Sequence, residues 1–393
     1  MAEIVVVGGG LVGSLIALGI AQTQREVTLI DRSRPQIRHG TLGMDIRNVA
    51  VSPASRELLE QVGVWADLHP APYNAMQVWE ERGTRAIEFR AREVGRDELG
   101  WIVQSSEVLC ALWDALSQMS NVTLETGAAV EEVSVGGSCV VVRTADGDVR
   151  ARLLIAADGA HSRVREALKV ATRQTPTGHH ALATVVRTEI GHHGVALQRF
   201  LIEGPLALLP GDDAHLSSVV WSQPPARAEQ RLALTEEEFC AEIEGCLEAR
   251  LGAVTAVDER FVFPLDQMLV ESFNPVPRVL IVGDAARVLH PLAGLGANVG
   301  FEDARDLLDD LAAIPSGLDP GAPGRWRKFA RQRRARSRMM LALMTGFRRA
   351  YAGSDPWSQW LRNTGVDWLN HAGPLKRQLI REALGLGPVA RRW

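Results

Sequence analysis

The chain has 393 residues, 46% of them hydrophobic and 23% charged, which is ordinary globular composition and long enough for more than one core. A formal net charge of −4 excludes the strongly basic face of a general nucleic-acid binder. No stretch reaches the roughly 18 apolar residues of a membrane span, and the glycine-broken start lacks the basic leader of a signal peptide, so a cytoplasmic location is expected.

The first element in chain order is a β-branched run, Ile4 to Val7, entering Gly8-Gly9-Gly10-Leu11-Val12-Gly13, and Val27 to Ile30 then ends on Asp31-Arg32. This is the pattern of a dinucleotide-binding βαβ unit. Gly8 permits the tight turn, Gly10 lets backbone N–H groups approach a pyrophosphate, and Gly13 lets helix and strand pack closely. Asp31 follows Gly13 by 18 residues, where a carboxylate meets an adenosine ribose 2′-OH, so FAD or NAD is favoured over NADP here.

Ser52-Pro53 begins a helix running through Leu59. Gln77 to Glu80 and Ala86 to Phe89 alternate about a Gly83 turn and predict a hairpin of a second domain. Helical spacing returns from Val108 to Met119, and Val122 to Leu124 follows as a strand. Val140 to Arg143 and Val149 to Ala151 flank the turn pair Asp146-Gly147. Between Thr184 and Val270 strand-like segments recur, among them Leu206 to Leu209 and Ser217 to Trp221, interrupted by a helix over Glu236 to Ala249.

Two later segments carry chemistry. Leu153 to Ala157 is a buried-strand run ending in Asp158-Gly159, with Ser162 and Arg165 completing an Asp-Gly-x-x-Ser-x-x-Arg pattern. Val279 to Val282 leads into Gly283-Asp284-Ala285-Ala286, then His290-Pro291-Leu292-Ala293-Gly294-Leu295-Gly296-Ala297-Asn298. Asp284 is placed to bond ribityl or ribose hydroxyls. Gly294 and Gly296 open a helix toward Leu307 whose free N–H groups form an anion site.

Together these residues resemble the class A flavoprotein monooxygenases with the p-hydroxybenzoate hydroxylase fold, in particular the ubiquinone-biosynthesis hydroxylases. The resemblance spans nearly the whole chain and is extended by Gly204-Pro205 leading to Leu208-Leu209-Pro210, by Pro374 to Gln378, and by Ala383 to Leu386. The family usually carries glutamine at the position of Leu295 and a larger apolar residue at Ala297. The resemblance implies an α/β fold: a Rossmann-like FAD-binding domain (1–74, 100–175 and 271–345) interleaved with a β-sheet-rich substrate domain (75–99 and 176–270), and C-terminal helices over 346–393.

It also implies one noncovalent FAD, reduced by NADPH or NADH, that forms a C4a-hydroperoxide with O₂ and hydroxylates a lipophilic phenol. Gly8, Gly10, Leu11, Val12, Gly13, Asp31, Arg32, Asp158 and Asp284 fall on cofactor positions. Gly296, Ala297 and Asn298 lie where backbone meets the isoalloxazine, and Arg47 and Gln104 are further cofactor contacts. No second glycine fingerprint exists, so the nicotinamide donor has no Rossmann site of its own.

His290, beside Pro291, has two readings: a proton-moving residue at the flavin edge, or a structural histidine capping a loop. His161 reads as an exposed loop residue. The pairs His179-His180 and His192-His193 lack partners at ligand spacing and read as solvated loop residues, not metal ligands. Cys110, Cys139, Cys240 and Cys246 show no Cys-x-x-Cys pair and read as buried thiols. Eight basic residues between Arg325 and Arg338, interleaved with Trp326 and Phe329 and followed by apolar Met339 to Met344, have two readings as well. They form a face for anionic lipid or a partner, or a solvated face backing onto the core. Trp357, Trp360, Trp368 and Trp393 favour peripheral contact with the inner membrane face, within a biosynthetic complex or homo-oligomer. Two other functions fit the same residues: a noncatalytic flavoprotein scaffold, and a flavin-linked reductase of isoprenoid double bonds.

Overall fold

A computed structural model describes residues 2–81, 86–289, 295–315, 317–352 and 377–378. The β-branched run forms β1 (Ala2–Val7), stiff at χ1 and covered on both faces, which is why it is continuously apolar. After the glycine turn comes α1 (Leu11–Gln22), then β2 (Val27–Asp31), parallel to β1 with Val7 opposite Ile30. Every residue of α1 from Gly13 to Ala21 is buried, because the helices Ser105–Ser117 and Leu295–Ala312 flank it. Gly19 makes the second approach close: a Cβ there would lie 2.5 Å from a Leu308 methyl.

The seven-stranded sheet runs Val122–Thr126, β2, β1, Gly147–Ala156, Val140–Thr144, Val130–Val135, with Val279–Ile281 on the far half of Gly147–Ala156. β1 is parallel to β2 on one side and to Gly147–Ala156 on the other, and Val279–Ile281 continues that direction. The strand order therefore reverses at β1. All three sequence motifs follow carboxyl ends at this switch point, where open α/β sheets bind ligands.

An eight-stranded sheet runs Val254–Val257, His180–Thr188, Leu216–Gln223, Gly204–Pro210, Val195–Leu201, Ala75–Glu80, Ala86–Arg90, with Phe261–Pro264 also on His180–Thr188. Its outer face packs Leu182, Leu206, Leu208 and Trp221 against Phe239 and Ile243 of the helix Glu236–Cys246. Val185, Leu209 and Leu216, on its inner face, meet Met44, Ala50 and Ile102 from the other half of the molecule. Ala50 and Ile102 belong to a small sheet of Asn48–Val51, Gly100–Gln104 and Ala71–Tyr73.

The helix beginning at Ser52-Pro53 is present as Pro53–Gln61, with the Ser52 hydroxyl accepting from the Ser55 N–H. The Ala75–Glu80 and Ala86–Arg90 hairpin is antiparallel, and its Gly83 turn lies outside the described residues. The helix expected over Glu236 to Ala249 stops at Cys246, because Glu248 and Ala249 adopt φ of 55° and 51°. Histidine placement also differs from expectation. His192 is buried, pairing with the Asp213 carbonyl and accepting from the Gly194 N–H, and His179 and His180 are half-buried on or beside a strand. The cysteines are half-buried rather than buried, and desolvation pushes the Cys246 thiol up to about 11.

The basic segment forms one helix, Arg327–Ala352. Its aromatics do not face solvent: Trp326 and Phe329 are buried, packed edge to face at 5.8 Å. Arg333 and Arg336 turn inward to carboxylates, while Arg331 and Arg338 stay exposed. Trp357, Trp360, Trp368 and Trp393 lie outside the described residues. No described helix is long and apolar enough to cross a membrane.

Candidate cofactor and substrate site

Gly8 adopts φ +101°, and a Cβ on it would lie 2.4 Å from the Ala157 carbonyl oxygen, so only glycine fits where the first and second motifs touch. At Gly13 a Cβ would fall 1.8 Å from the Gly8 carbonyl oxygen, which fixes the approach of helix to turn. Gly9 is clamped. Its N–H donates to Asp31 Oδ2 at 2.6 Å, and its carbonyl accepts from Trp113 Nε1 and Ser14 Oγ, both at 2.8 Å. Gly10 differs: it is exposed, and among the described residues no atom lies within 4 Å of where its Cβ would be. No side chain caps α1, so its first-turn N–H groups are available to an anion.

The second motif is held from inside. Asp158 accepts from Ser162 Oγ at 2.6 Å and from the Val164 N–H at 3.1 Å, so its carboxylate secures the start of the short helix Arg163–Ala167. Arg165 donates from Nη2 to the Ala160 carbonyl and from Nη1 to the Ala285 carbonyl, which joins the second motif to the third. The third is a tight turn, Gly283–Ala285, with Gly283 at φ +60° and its N–H donating to Asp303 Oδ2 at 3.0 Å. Val12 packs between the loops. Its methyls sit 3.4 Å from a Cβ on Gly283 and 2.6 Å from one on Gly300.

Asp284 is reached by solvent yet sits among enough protein that desolvation raises its carboxyl pKa, partly offset by Arg287 and reinforced by Asp303. Gly296 and Ala297, half-buried, form the first turn of the helix Leu295–Ala312. The Asn298 side chain points away to structure: Nδ2 donates to the Ala50 carbonyl, and Oδ1 accepts from the Ser52 N–H and Ser55 Oγ. Arg47 and Gln104 come together through Asp45, which accepts from the Arg47 N–H at 2.9 Å and donates its own N–H to Gln104 Oε1 at 2.7 Å. Arg32 is exposed. His290 and Pro291 lie outside the described residues.

Sequence reasoning missed Asp303 and Trp113. Asp303 is fully buried and accepts from Arg287 and Arg333 as well as Gly283, each arginine at 2.5 Å. Its signal was an acid at core spacing in a helix, among Val299, Phe301, Ala304 and Leu307. Trp113 gave no signal beyond its place on the apolar face of Ser105–Ser117.

These features fit FAD. Open space at Gly10 beside uncapped N–H groups suits a pyrophosphate, Asp31 ends β2 at the ribose position, and Asp284 offers a carboxylate in the cleft. Among the described residues no cluster of three His, Cys, Asp or Glu could hold a metal ion. Fold and site together define a doubly wound α/β protein with an FAD-type dinucleotide site. A family profile described as FAD binding domain matches residues 1–342, and the chain belongs to that family. It is 33% identical to 3-demethoxyubiquinol 3-hydroxylase of Escherichia coli, over 98% of both chains. It is 32% identical to ubiquinone hydroxylase UbiL of Rhodospirillum rubrum, over 99% of this chain and 91% of that protein. Among solved structures, p-nitrophenol 4-monooxygenase PnpA of Pseudomonas putida shares the fold with a TM-score of 0.79 at 20% identity, covering 99% of each chain. Klebsiella pneumoniae HpxO complexed with FAD and uric acid does so with a TM-score of 0.74 at 17% identity, covering 99% and 98%.

Proposed function

We propose that the chain hydroxylates the aromatic ring of a polyprenyl phenol on the route to ubiquinone, using FAD, O₂ and NADPH or NADH. The observation that carries this is convergence. Motifs far apart in sequence meet through Gly8 and Ala157, Val12 and Gly283, and Arg165 and Ala285, and the inner face of the second sheet packs on Met44, Ala50 and Ile102 of the same half. The nearly end-to-end match to proteins named as ubiquinone hydroxylases supports the choice of substrate.

Bound FAD supplies the two-electron chemistry and the site of oxygen activation. The protein's own work is to hold and to shield. The first-turn N–H groups of α1 hold phosphate oxygens, Asp31 takes a ribose hydroxyl, and Asp284 takes a hydroxyl of the ribityl chain. Backbone N–H groups of Gly296 and Ala297 stabilise negative charge at the helix start. Residues 75–99 and 176–270 bind the substrate, and their apolar inner wall keeps water from the reacting centre. Arg331 and Arg338, exposed on the long C-terminal helix, support peripheral contact with anionic lipid near a greasy substrate. Replacing Arg331, Arg334 and Arg338 by Glu would then abolish liposome flotation at unchanged FAD content.

The test is a strain lacking this chain. An under-hydroxylated prenyl phenol should accumulate, and purified protein should convert it, consuming O₂ and raising product mass by one oxygen. Intact FAD with no substrate-dependent O₂ consumption would favour a scaffold, and double-bond reduction without O₂ uptake a reductase.

A further inference from the structure

Register in the eight-stranded sheet places six residues in one row across its inner face: Ala183, Val220, Ala207, Gln198, Val78 and Ile87. Directly paired residues share a face, so the row is a continuous wall. Five of the six are small or apolar. Gln198 is the one polar member of the row, 5% exposed as a residue, and its side-chain amide makes no hydrogen bond with the described residues. An amide set in an apolar wall is a handle for a polar partner, because such groups in native structures are normally satisfied by protein, water or ligand.

The wall lies beside the cofactor loops. The next row on the same face, about 7 Å along the strands, contains Val185 and Leu209, which pack on Ala50. The Ala50 carbonyl in turn accepts from Asn298 in the first turns of the helix Leu295–Ala312. Gln198 therefore sits one row from the seam that carries the helix start. Its neighbours Ala207 and Val78 are half-buried, which leaves room over the amide, whereas on the outer face Leu206 and Leu208 are sealed.

We propose that Gln198 is the positioning residue for the substrate ring: its carbonyl oxygen accepts from the phenol O–H while the ring lies on Ala207 and Val220. An acceptor there fixes the ring's rotation and returns electron density to the carbon under attack. The assignment rests on the hydroxylase reading and adds the group that orients the substrate.

The test is a cycle between one side chain and one substrate group, read as equilibrium binding to the oxidised, FAD-loaded protein without an electron donor. The probes are a short ortho-prenylated phenol and its methyl ether. The native protein should prefer the phenol by roughly tenfold, about what one buried hydrogen bond supplies. Gln198→Leu should erase that preference, bind the ether about as the native protein does, and keep its FAD. With donor present, the variant should yield less hydroxylated product per O₂ consumed. Gln198→Met, similar in volume and more flexible, replaces the leucine variant if that one fails to fold. Equal preference for the phenol in native and variant proteins overturns the assignment of Gln198 alone. Binding of neither probe, with no substrate-dependent O₂ uptake, overturns it together with the hydroxylase reading.

Discussion

Arg165 and Ala285 are 120 positions apart, yet the guanidinium of one donates to the backbone carbonyl of the other at 2.8 Å. The same side chain holds Ala160 at 2.6 Å, so one planar fork spans two cofactor loops. Burial lowers the pKa of this arginine, opposed by Asp158 and Glu166, and the guanidinium stays charged as arginine does in proteins. Arg165→Lys keeps the charge but offers one nitrogen where two carbonyls are held by separate guanidinium nitrogens. We expect Arg165→Lys to lose about 1–3 kcal/mol of stability, the range for hydrogen bonds to charged groups, and to weaken FAD retention on dilution. Unchanged retention and melting would show that the latch is dispensable.

Asp284 carries a cost in the cofactor-free protein. Desolvation raises its carboxyl pKa, so the native chain holds this proton more tightly than the unfolded chain does. The sign follows: the group's contribution to stability is full below the unfolded pKa and is lost as pH rises through the folded one. Above its folded pKa the ionised carboxylate opposes folding until a hydroxyl donor binds it. Asp284→Asn should therefore raise the melting temperature of apoprotein at pH 7 and flatten its pH dependence, while reducing FAD affinity by about 1–3 kcal/mol. Titration of apoprotein with FAD, alongside melting curves across the acidic range, measures both.

Gly300 sets two effects against each other. Alanine in a helix interior is normally favoured over glycine by about 0.5–1 kcal/mol. Here its Cβ would sit 2.6 Å from a Val12 methyl, and overpacking typically costs about 1–3 kcal/mol, so the clash wins. Gly300→Ala should destabilise and displace α1, weakening FAD binding. Val12→Ala in the same chain removes the offending methyl, and the double variant should recover most of the loss. Additive losses in chemical denaturation would contradict this contact, since touching residues are expected to couple.

What the residues announced and what they concealed follow from the range of the forces involved. Glycines at positions 8 and 13, the Ser52 cap and the Asp146-Gly147 turn are local solutions to local backbone geometry, and each appears where its neighbours require it. Residues acting across the fold were concealed. Asp158 reads as a cofactor position, and its carboxylate also secures its own helix, a role only the folded Val164 N–H reveals. Asn298 likewise spends its side chain on Ala50, Ser52 and Ser55, over 240 positions away. The basic run leaves two readings open for the same reason: charge pattern does not say that Arg333 finds Asp303, or that Trp326 and Phe329 turn inward.

Asp303 is where that hidden layer can be tested. Its carboxylate joins Arg287, Arg333 and the Gly283 N–H, so one buried acid fixes the third cofactor loop to the C-terminal helix. Burial works against the Arg333 charge, but Asp303, Glu302 and Asp306 outweigh it and raise its pKa. Asp303→Asn keeps the shape and removes the charge, leaving Arg287 buried without its ion pair, and breaking a buried pair from one side typically costs about 3–5 kcal/mol. We expect that loss in chemical denaturation together with poor FAD content, because the Gly283 turn loses a charged acceptor. Glu302→Gln disturbs the same arginine, Arg333, but is partly solvated and touches no cofactor loop in these contacts, so it should cost less and spare FAD. Equal loss of FAD in both variants would mean that general instability, not the Gly283 anchor, empties the cleft.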